Sequence, residues 1–156
     1  MNTVTNIRTG ATKTSAEYLS EHVVKAYKSL GSGKFDLIEP LYADDIYFED
    51  PSHGIQGKAG LMTYFVNMFK NMEHCDFKFH QTLVSENDIF MTWTMFLNHR
   101  RLNGGETIRV DGSSFLKTRN GKIYYHRDYF DMGAMVYENL PILGRIIRKI
   151  RLRLGQ

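Results

Sequence analysis

The chain has 156 residues, of which 42% are apolar and 24% charged, as is typical of one globular domain. Its single cysteine, Cys75, excludes an internal disulfide, and we expect it to be a buried or edge thiol. No apolar run reaches the roughly 18 residues of a membrane span, and segment 1–14 lacks the apolar core of a signal peptide, so we expect a cytoplasmic protein.

Helical signals dominate the first part of the chain. Residues 1–14 are polar and predict a disordered lead. From Tyr18 to Leu30 apolar residues recur at three- and four-residue steps, which predicts a helix that ends at the glycines that follow. A second short helix is predicted around Ile38. A short strand over 46–50 ends at Pro51, and a loop over 52–57 leads to a further helix.

Beyond Met72 the apolar period changes to two, which predicts four antiparallel strands up to Asp131. Asn120-Gly121 is a strong signal for a tight hairpin turn between the last two. This order predicts an α+β fold over 15–135, in which a curved antiparallel or mixed sheet wraps around the N-terminal helices as a cone with an internal pocket. Residues 136–156 are predicted to form a basic amphipathic tail. Its last twelve residues carry five cations, which leaves the chain before them at −2.

Two acidic residues far apart in sequence are candidates for chemistry. Asp50 ends the short strand, and Asp128 lies in the last strand, where alternation would place Tyr124, His126 and Phe130 on its face. If both carboxylates face one apolar cavity, only one can easily lose its proton, which leaves an acid beside a base. The alternatives are that Asp50 caps its own turn and that His126 and Asp128 form a solvated pair.

The segment from Ala43 to Pro51 and the segment from Arg127 to Asp131 resemble the nuclear transport factor 2-like superfamily, as does the order of elements. The first is similar to a ketosteroid isomerase segment whose last Asp is the general base, which implies that role for Asp50. The second is similar to a limonene epoxide hydrolase segment whose first Asp is the acid–base group, which implies that role for Asp128. SnoaL-like polyketide cyclases and non-catalytic binding proteins also belong to the superfamily.

The resemblance is incomplete at both sites. The tyrosine and the protonated Asp of the isomerase oxyanion hole fall on Ala26 and Ser113, so steroid isomerisation is not expected. The Arg and Asp of the epoxide hydrolase fall near Thr94 and Phe96. The chain shares strands with the superfamily but not a full set of site residues. The resemblance therefore predicts the fold more firmly than the reaction.

These features predict a cofactor-independent isomerase, cyclase or hydrolase that moves a proton on an apolar substrate. Asp50 and Asp128 would be catalytic, with His126 tuning them. The alternative is a non-catalytic carrier of a lipid-like or aromatic ligand. No metal-ligand spacing occurs in the sequence, so we expect no metal and no cofactor. The expected ligand contacts are Phe48, His53, Tyr64, Phe65, Met68, Trp93, Asp111, Ser113 and Phe130.

Besides a small apolar ligand, the sequence bears on three kinds of partner: a second subunit, nucleic acid and a membrane surface. The resemblance implies a homodimer through the outer face of the sheet, with Tyr125, Arg127 and Tyr129 in the interface. Nucleic acid is not expected, because the body is mildly acidic and no aromatic–basic stripe is present. The basic tail either packs its apolar side on the domain or on a second subunit, or makes a weak contact with an anionic membrane surface.

Overall fold

The first helix begins at a capping box formed by Thr14 and Glu17. The computed structural model describes residues 12–154, so residues 1–11 of the predicted lead lie outside the described part. The Thr14 amide donates to Glu17 Oε2 at 2.7 Å, and the Glu17 amide donates to Thr14 Oγ1 at 3.2 Å. This reciprocal pair satisfies two amides that a helix start leaves unpaired. Helix α1 therefore runs over Ser15–Lys28, and it buries Leu19, Val23, Ala26 and Tyr27.

Six strands form one sheet in the order β2-β1-β6-β5-β4-β3. Their bounds are Tyr42–Glu49, Gly54–Gln56, Met72–Ser85, Asp88–His99, Ile108–Arg119 and Lys122–Phe130 for β1 to β6. Strands β1 and β6 pair in parallel, and the other neighbours are antiparallel. The predicted α+β fold, with a mixed sheet and N-terminal helices, is confirmed.

A short strand lies where the sequence predicted only a loop. The Asp50 amide donates to the His53 carbonyl at 2.9 Å, which reverses the chain and returns β2 beside β1. Helix α2 then runs over Lys58–Phe69, as predicted. The Asn120–Gly121 turn is also confirmed. Both residues have positive φ, at 53° and 71°, as the tight hairpin between β5 and β6 requires.

A β-bulge in β6 decides which of its side chains face the core. Ile123 pairs with Thr118 and Tyr125 with Lys117, so Tyr124 is an extra residue without a partner of its own in this ladder. Ile123 is fully buried, and the guanidinium of Arg119 lies 4.9 Å from the Tyr124 ring centroid. The prediction that Tyr124 shares a face with His126 is therefore wrong, because the bulge shifts the alternation by one residue.

Two further helices follow β6, α3 over Met132–Met135 and α4 over Leu143–Arg153. Helix α4 contacts the body mainly through the turn at Glu138, and of its residues only Gly144 is fully buried. Against residues 12–154 most of the apolar side of the tail is exposed, while Leu140 and Ile147 are half-buried. Within residues 12–154, no helix combines the length and the apolar character needed to cross a bilayer.

Cys75 gives a testable dependence of stability on pH. The thiol is buried in the core, as expected, and burial raises its pKa from 9.0 to about 12. The unfolded chain therefore loses this proton first, so the stabilisation is complete below pH 9 and decreases as the pH rises towards 12. Between pH 7.5 and 10 we expect this thiol to account for a loss of about 1.4 kcal/mol in the free energy of unfolding.

Urea unfolding of the wild type and of Cys75→Ala at the two pH values isolates this effect. The variant is less stable at neutral pH, because it leaves a small void, but it should lose about 1.4 kcal/mol less on going to pH 10. Equal losses in the two proteins would contradict the assignment to Cys75.

Candidate active site

A cavity of about 450 Å³ lies between the concave face of the sheet and helices α1 and α2. Aromatic and methionine side chains form most of its wall. Of the predicted ligand contacts, seven line it: Phe48, His53, Tyr64, Phe65, Met68, Trp93 and Phe130. Asp50, His126 and Asp128 also line it, so the fold brings the two distant carboxylates to one cavity. The volume suits a small organic ligand.

Asp111 and Ser113 do not line the cavity, so that part of the prediction is corrected. Even-numbered residues of β5 face inward, and Ser114 occupies the inner position next to Ser113. Asp111 lies on the outer face, where it accepts a hydrogen bond from Thr94 Oγ1 at 2.6 Å and pairs with Arg109 at 3.0 Å. The signal was present in the sequence, because Ile108, Val110 and Leu116 mark the apolar side of this strand.

A buried His126 and a half-buried Asp128 form a dyad at the inner face of β6. His126 is 1% exposed, and its Nε2 lies 2.8 Å from Asp128 Oδ1. The Ser114 hydroxyl donates to the same oxygen at 2.5 Å, and Trp93 Nε1 donates to Ser114 Oγ at 2.9 Å. Among residues 12–154, no hydrogen bond is made to Asp128 Oδ2, so this oxygen is the polar atom available to a ligand.

The other nitrogen of His126 continues the network through Tyr42 to Tyr27, which also lines the cavity. Nδ1 lies 2.8 Å from the Tyr42 hydroxyl, which lies 2.7 Å from the Tyr27 hydroxyl. One set of roles satisfies every atom: Tyr27 donates to Tyr42, Tyr42 donates to Nδ1, and Nε2–H donates to the Asp128 carboxylate. The network therefore accommodates a neutral imidazole and an ionised Asp128, with the ring held in one orientation.

The three tyrosines around this network remain protonated throughout the neutral range. Burial raises the pKa of Tyr27 and of Tyr42 far above the ordinary value, and the charge of Asp128 adds to both shifts. Burial also raises the pKa of Tyr64, and the hydrogen bond to Asp50 adds to that shift. Each phenol is therefore a hydrogen-bond donor rather than a base.

Asp50 combines the two roles that the sequence left open. Its Oδ1 accepts the amides of Ser52 and His53, both at 2.7 Å, which is the turn-capping role. Its Oδ2 accepts the Tyr64 hydroxyl at 2.5 Å inside the cavity. His53 Nδ1 lies 3.2 Å from Oδ1, and the side chain of Asp50 is only 4% exposed. The carboxylate is thus fixed by the turn and also presented to the cavity.

The exposed members of the lining mark where the cavity opens. Ser52, His53 and Asn67 are exposed, and the Ser52 hydroxyl contacts Met132 Sδ at 3.3 Å. Met135 and Val136 also line the cavity. The rim therefore consists of the turn after Asp50, the end of α2, and the segment that follows β6.

The model of the SnoaL-like domain matches residues 23–126, which is about two thirds of the sequence. The chain belongs to the SnoaL-like domain family. No curated protein matches it significantly by sequence. Solved structures that are 11–19% identical to the chain share its fold.

Three of these structural neighbours illustrate the shared fold. A presumed SnoaL-like polyketide cyclase from Jannaschia sp. CCS1 has a TM-score of 0.69 at 11% identity, covering 81% of this chain and 94% of its own. A presumed isomerase from Bacillus subtilis has a TM-score of 0.68 at 19% identity, covering 78% and 92%. TerC, crystallised with polyporic acid, has a TM-score of 0.66 at 15% identity, covering 75% and 94%.

The hydrogen-bond network of His126 and Asp128 contains three residues that were not among the predicted site residues: Tyr27, Tyr42 and Ser114. Tyr27 and Ser114 each lie one residue beyond the positions compared with the isomerase oxyanion hole, Ala26 and Ser113. Ala26 is buried instead in the core. Tyr42 directly precedes the segment Ala43–Pro51, but no residue of that segment marks it as a partner of His126. Its pairing position opposite Ile123 of β6 brings it near that histidine.

Proposed function

We propose that this SnoaL-like protein is a cofactor-independent enzyme that moves a proton on an apolar substrate held in the cavity. The observation that supports this most is that Asp128 lines a largely apolar cavity with an Oδ2 that receives no hydrogen bond from residues 12–154, while His126 and Ser114 hold Oδ1. A carboxylate oxygen in such surroundings is a suitable general base, provided the ligand brings a C–H bond or a water molecule to it.

Each polar residue of the site would have its own role in the proton transfer. Asp128 takes a proton from the substrate or from a water that attacks it, and His126 holds and tunes that carboxylate. Asp50, with Tyr64, supplies a second polar point near the rim, where it would orient a polar group of the ligand or return the proton. Isomerisation, cyclisation and hydration all fit this arrangement. The alternative function, a carrier of a lipid-like or aromatic ligand, is favoured by the largely apolar wall.

Deuterium exchange separates the two functions without knowledge of the natural substrate. β-Tetralone is a suitable probe, because it is an apolar aromatic ketone with acidic C–H bonds and is small enough for the cavity. We expect the protein to accelerate exchange of those hydrogens in D₂O, as followed by NMR, above the rate in buffer. Trp93 is the only tryptophan and lines the cavity, so its fluorescence reports binding independently. Binding without accelerated exchange would favour the carrier.

We also propose that the protein is a homodimer paired through the outer face of the sheet. An outer aromatic face runs across four strands and consists of Tyr47, Phe90, Phe115, Tyr125 and Tyr129. Tyr47 stacks on Tyr125, and Arg127 lies 4.8 Å from the Tyr129 ring centroid. Tyr129 is 47% exposed. Aromatic residues and arginine are the types that protein interfaces favour.

Light scattering tests this assembly. We expect twice the chain mass of 18.1 kDa for the wild type and the single mass for Tyr129→Asp, because a carboxylate placed in the paired aromatic face would be desolvated without a partner. Tyr18→Asp is the matched control, since Tyr18 is equally exposed but lies on α1. A monomeric wild type, or a dimeric Tyr129→Asp, would contradict the proposal.

A further inference from the structure

Helix α4 carries an apolar stripe that its own domain leaves uncovered. Leu143, Ile146, Ile150 and Leu154 follow one another at three- and four-residue steps, which places them in a stripe roughly 100° wide. These four side chains are between 39% and 80% exposed. A helix in water normally buries such a stripe, so this surface points to a partner other than residues 12–154 of the chain.

Cations flank the stripe, and no acidic residue occurs in the helix. Arg145, Arg148, Lys149, Arg151 and Arg153 all belong to α4. Arg148 donates to the Glu138 carbonyl, and Arg151 pairs with Glu138 and Asp131. Within the described part of the chain, the side chains of Arg145, Lys149 and Arg153 make no hydrogen bond or ion pair. Three cations thus remain available beside the apolar stripe.

The contacts of Glu138 fix α4 relative to the cavity. The Gly144 amide donates to the Leu140 carbonyl at 2.8 Å, and a Cβ at Gly144 would lie 2.1 Å from the Glu138 carbonyl oxygen, so only glycine permits this close approach. The segment so anchored, residues 131–140, includes Met132, Met135 and Val136 of the cavity lining. The exposed stripe is therefore built onto the rim of the cavity.

We propose that α4 docks the protein on an anionic lipid surface, with the cavity opening close to that surface. An apolar stripe flanked by basic residues is the pattern of helices that lie in the membrane interface. Anionic headgroups would meet the three available cations, while Ile146 and Ile150 enter the acyl boundary. Pairing of two α4 helices would cover the stripes but would bring two sets of five cations together. Nucleic acid would satisfy the cations but leave the stripe in water.

Such docking would bring an apolar ligand to the rim by a short path, because that ligand concentrates in the bilayer. The proposal does not depend on proton transfer. If the protein binds vesicles but does not accelerate deuterium exchange, the docking proposal stands and the proposed enzymatic function fails. If it accelerates exchange but does not bind vesicles, the enzymatic function stands and the docking proposal fails.

Vesicle sedimentation with full-length protein tests the proposal. We expect binding to vesicles of equimolar phosphatidylglycerol and phosphatidylcholine, weakening in high salt, and little binding to pure phosphatidylcholine. The triple variant Arg145→Gln, Lys149→Gln, Arg153→Gln should bind about 100-fold more weakly. The matched control Lys25→Gln, Lys28→Gln, Lys34→Gln removes the same charge from exposed sites in and just after α1 and should bind as the wild type does.

A second variant, Ile146→Asn with Ile150→Asn, removes the apolar contact while keeping all cations, and it should also reduce vesicle binding. Both changes are at exposed positions, so circular dichroism should show an unchanged fold. Equal vesicle binding by all variants would overturn the proposal. The proposal would also be overturned if the protein bound no vesicles but bound RNA. The same holds if it bound no vesicles and its molecular mass in solution changed when α4 was altered.

Discussion

Asp128→Asn is expected to slow deuterium exchange into β-tetralone by about 10²–10⁴-fold while leaving ligand binding nearly unchanged. The substitution keeps the shape of the side chain, and the amide oxygen can still accept from His126 and Ser114 in place of Oδ1. What is lost is the basic oxygen that faces the cavity. The measurement is the exchange rate by NMR, alongside quenching of Trp93 fluorescence as the measure of binding.

The matched control for this prediction is Asp111→Asn. Asp111 lies on the neighbouring strand but on the outer face, where its side chain is 62% exposed. The Asp111→Asn variant loses the same charge at a position that does not line the cavity, so its rate of deuterium exchange should equal that of the wild type. If Asp128→Asn binds the ketone and exchanges it as fast as the wild type, Asp128 is not the base.

Gly112→Ala is expected to lower the free energy of unfolding by about 1–3 kcal/mol and to weaken ligand binding. A Cβ at residue 112 would lie 2.3 Å from Trp93 Cη2, because the indole lies directly over this glycine. The indole cannot easily turn aside, since it donates to Ser114 and packs edge-on against Phe77 with centroids 5.5 Å apart. Relief therefore requires the ring to move into the cavity.

A double-mutant cycle with Trp93→Phe tests that reason. The phenyl ring lacks the distal part of the indole that the new methyl group would strike, so Gly112→Ala should cost less in the Trp93→Phe background. Urea unfolding of the four proteins gives the coupling energy. Additive effects would show that the cost of Gly112→Ala comes from the backbone of β5 and not from the indole.

The fold could be predicted from the sequence because periodicity is local. The change of period after Met72 and the Asn120-Gly121 turn define strands without any knowledge of tertiary contacts. The face of a strand was harder to predict. In β6 the bulge at Tyr124 moves Ile123 inward, and no residue in the sequence marks that insertion. In β5 the polar residues Asp111 and Ser113 were predicted to line the pocket, although the apolar residues of the strand define the opposite side as the inner one.

The candidate site was predictable only where a residue resembles one of known role. Asp50 and Asp128 were found in this way, and the structure places both at the cavity. Tyr42 could not be predicted, because its contact with His126, 84 residues further along the chain, depends on the parallel pairing of β1 with β6. A pairing between distant strands leaves no local pattern, so the partner of a buried histidine has to be read from the fold.

The line of hydroxyls behind His126 links the direction of its hydrogen bonds to a second point on the cavity wall. When Nε2–H donates to Asp128, Tyr27 and Tyr42 point their hydrogens towards Nδ1. If Nδ1 carries the hydrogen instead, both hydroxyls have to rotate, and the hydrogen of Tyr27 can then point to the cavity that Tyr27 lines. A change of tautomer at His126 is thereby coupled to the hydrogen-bonding character of a different wall, with no displacement of heavy atoms.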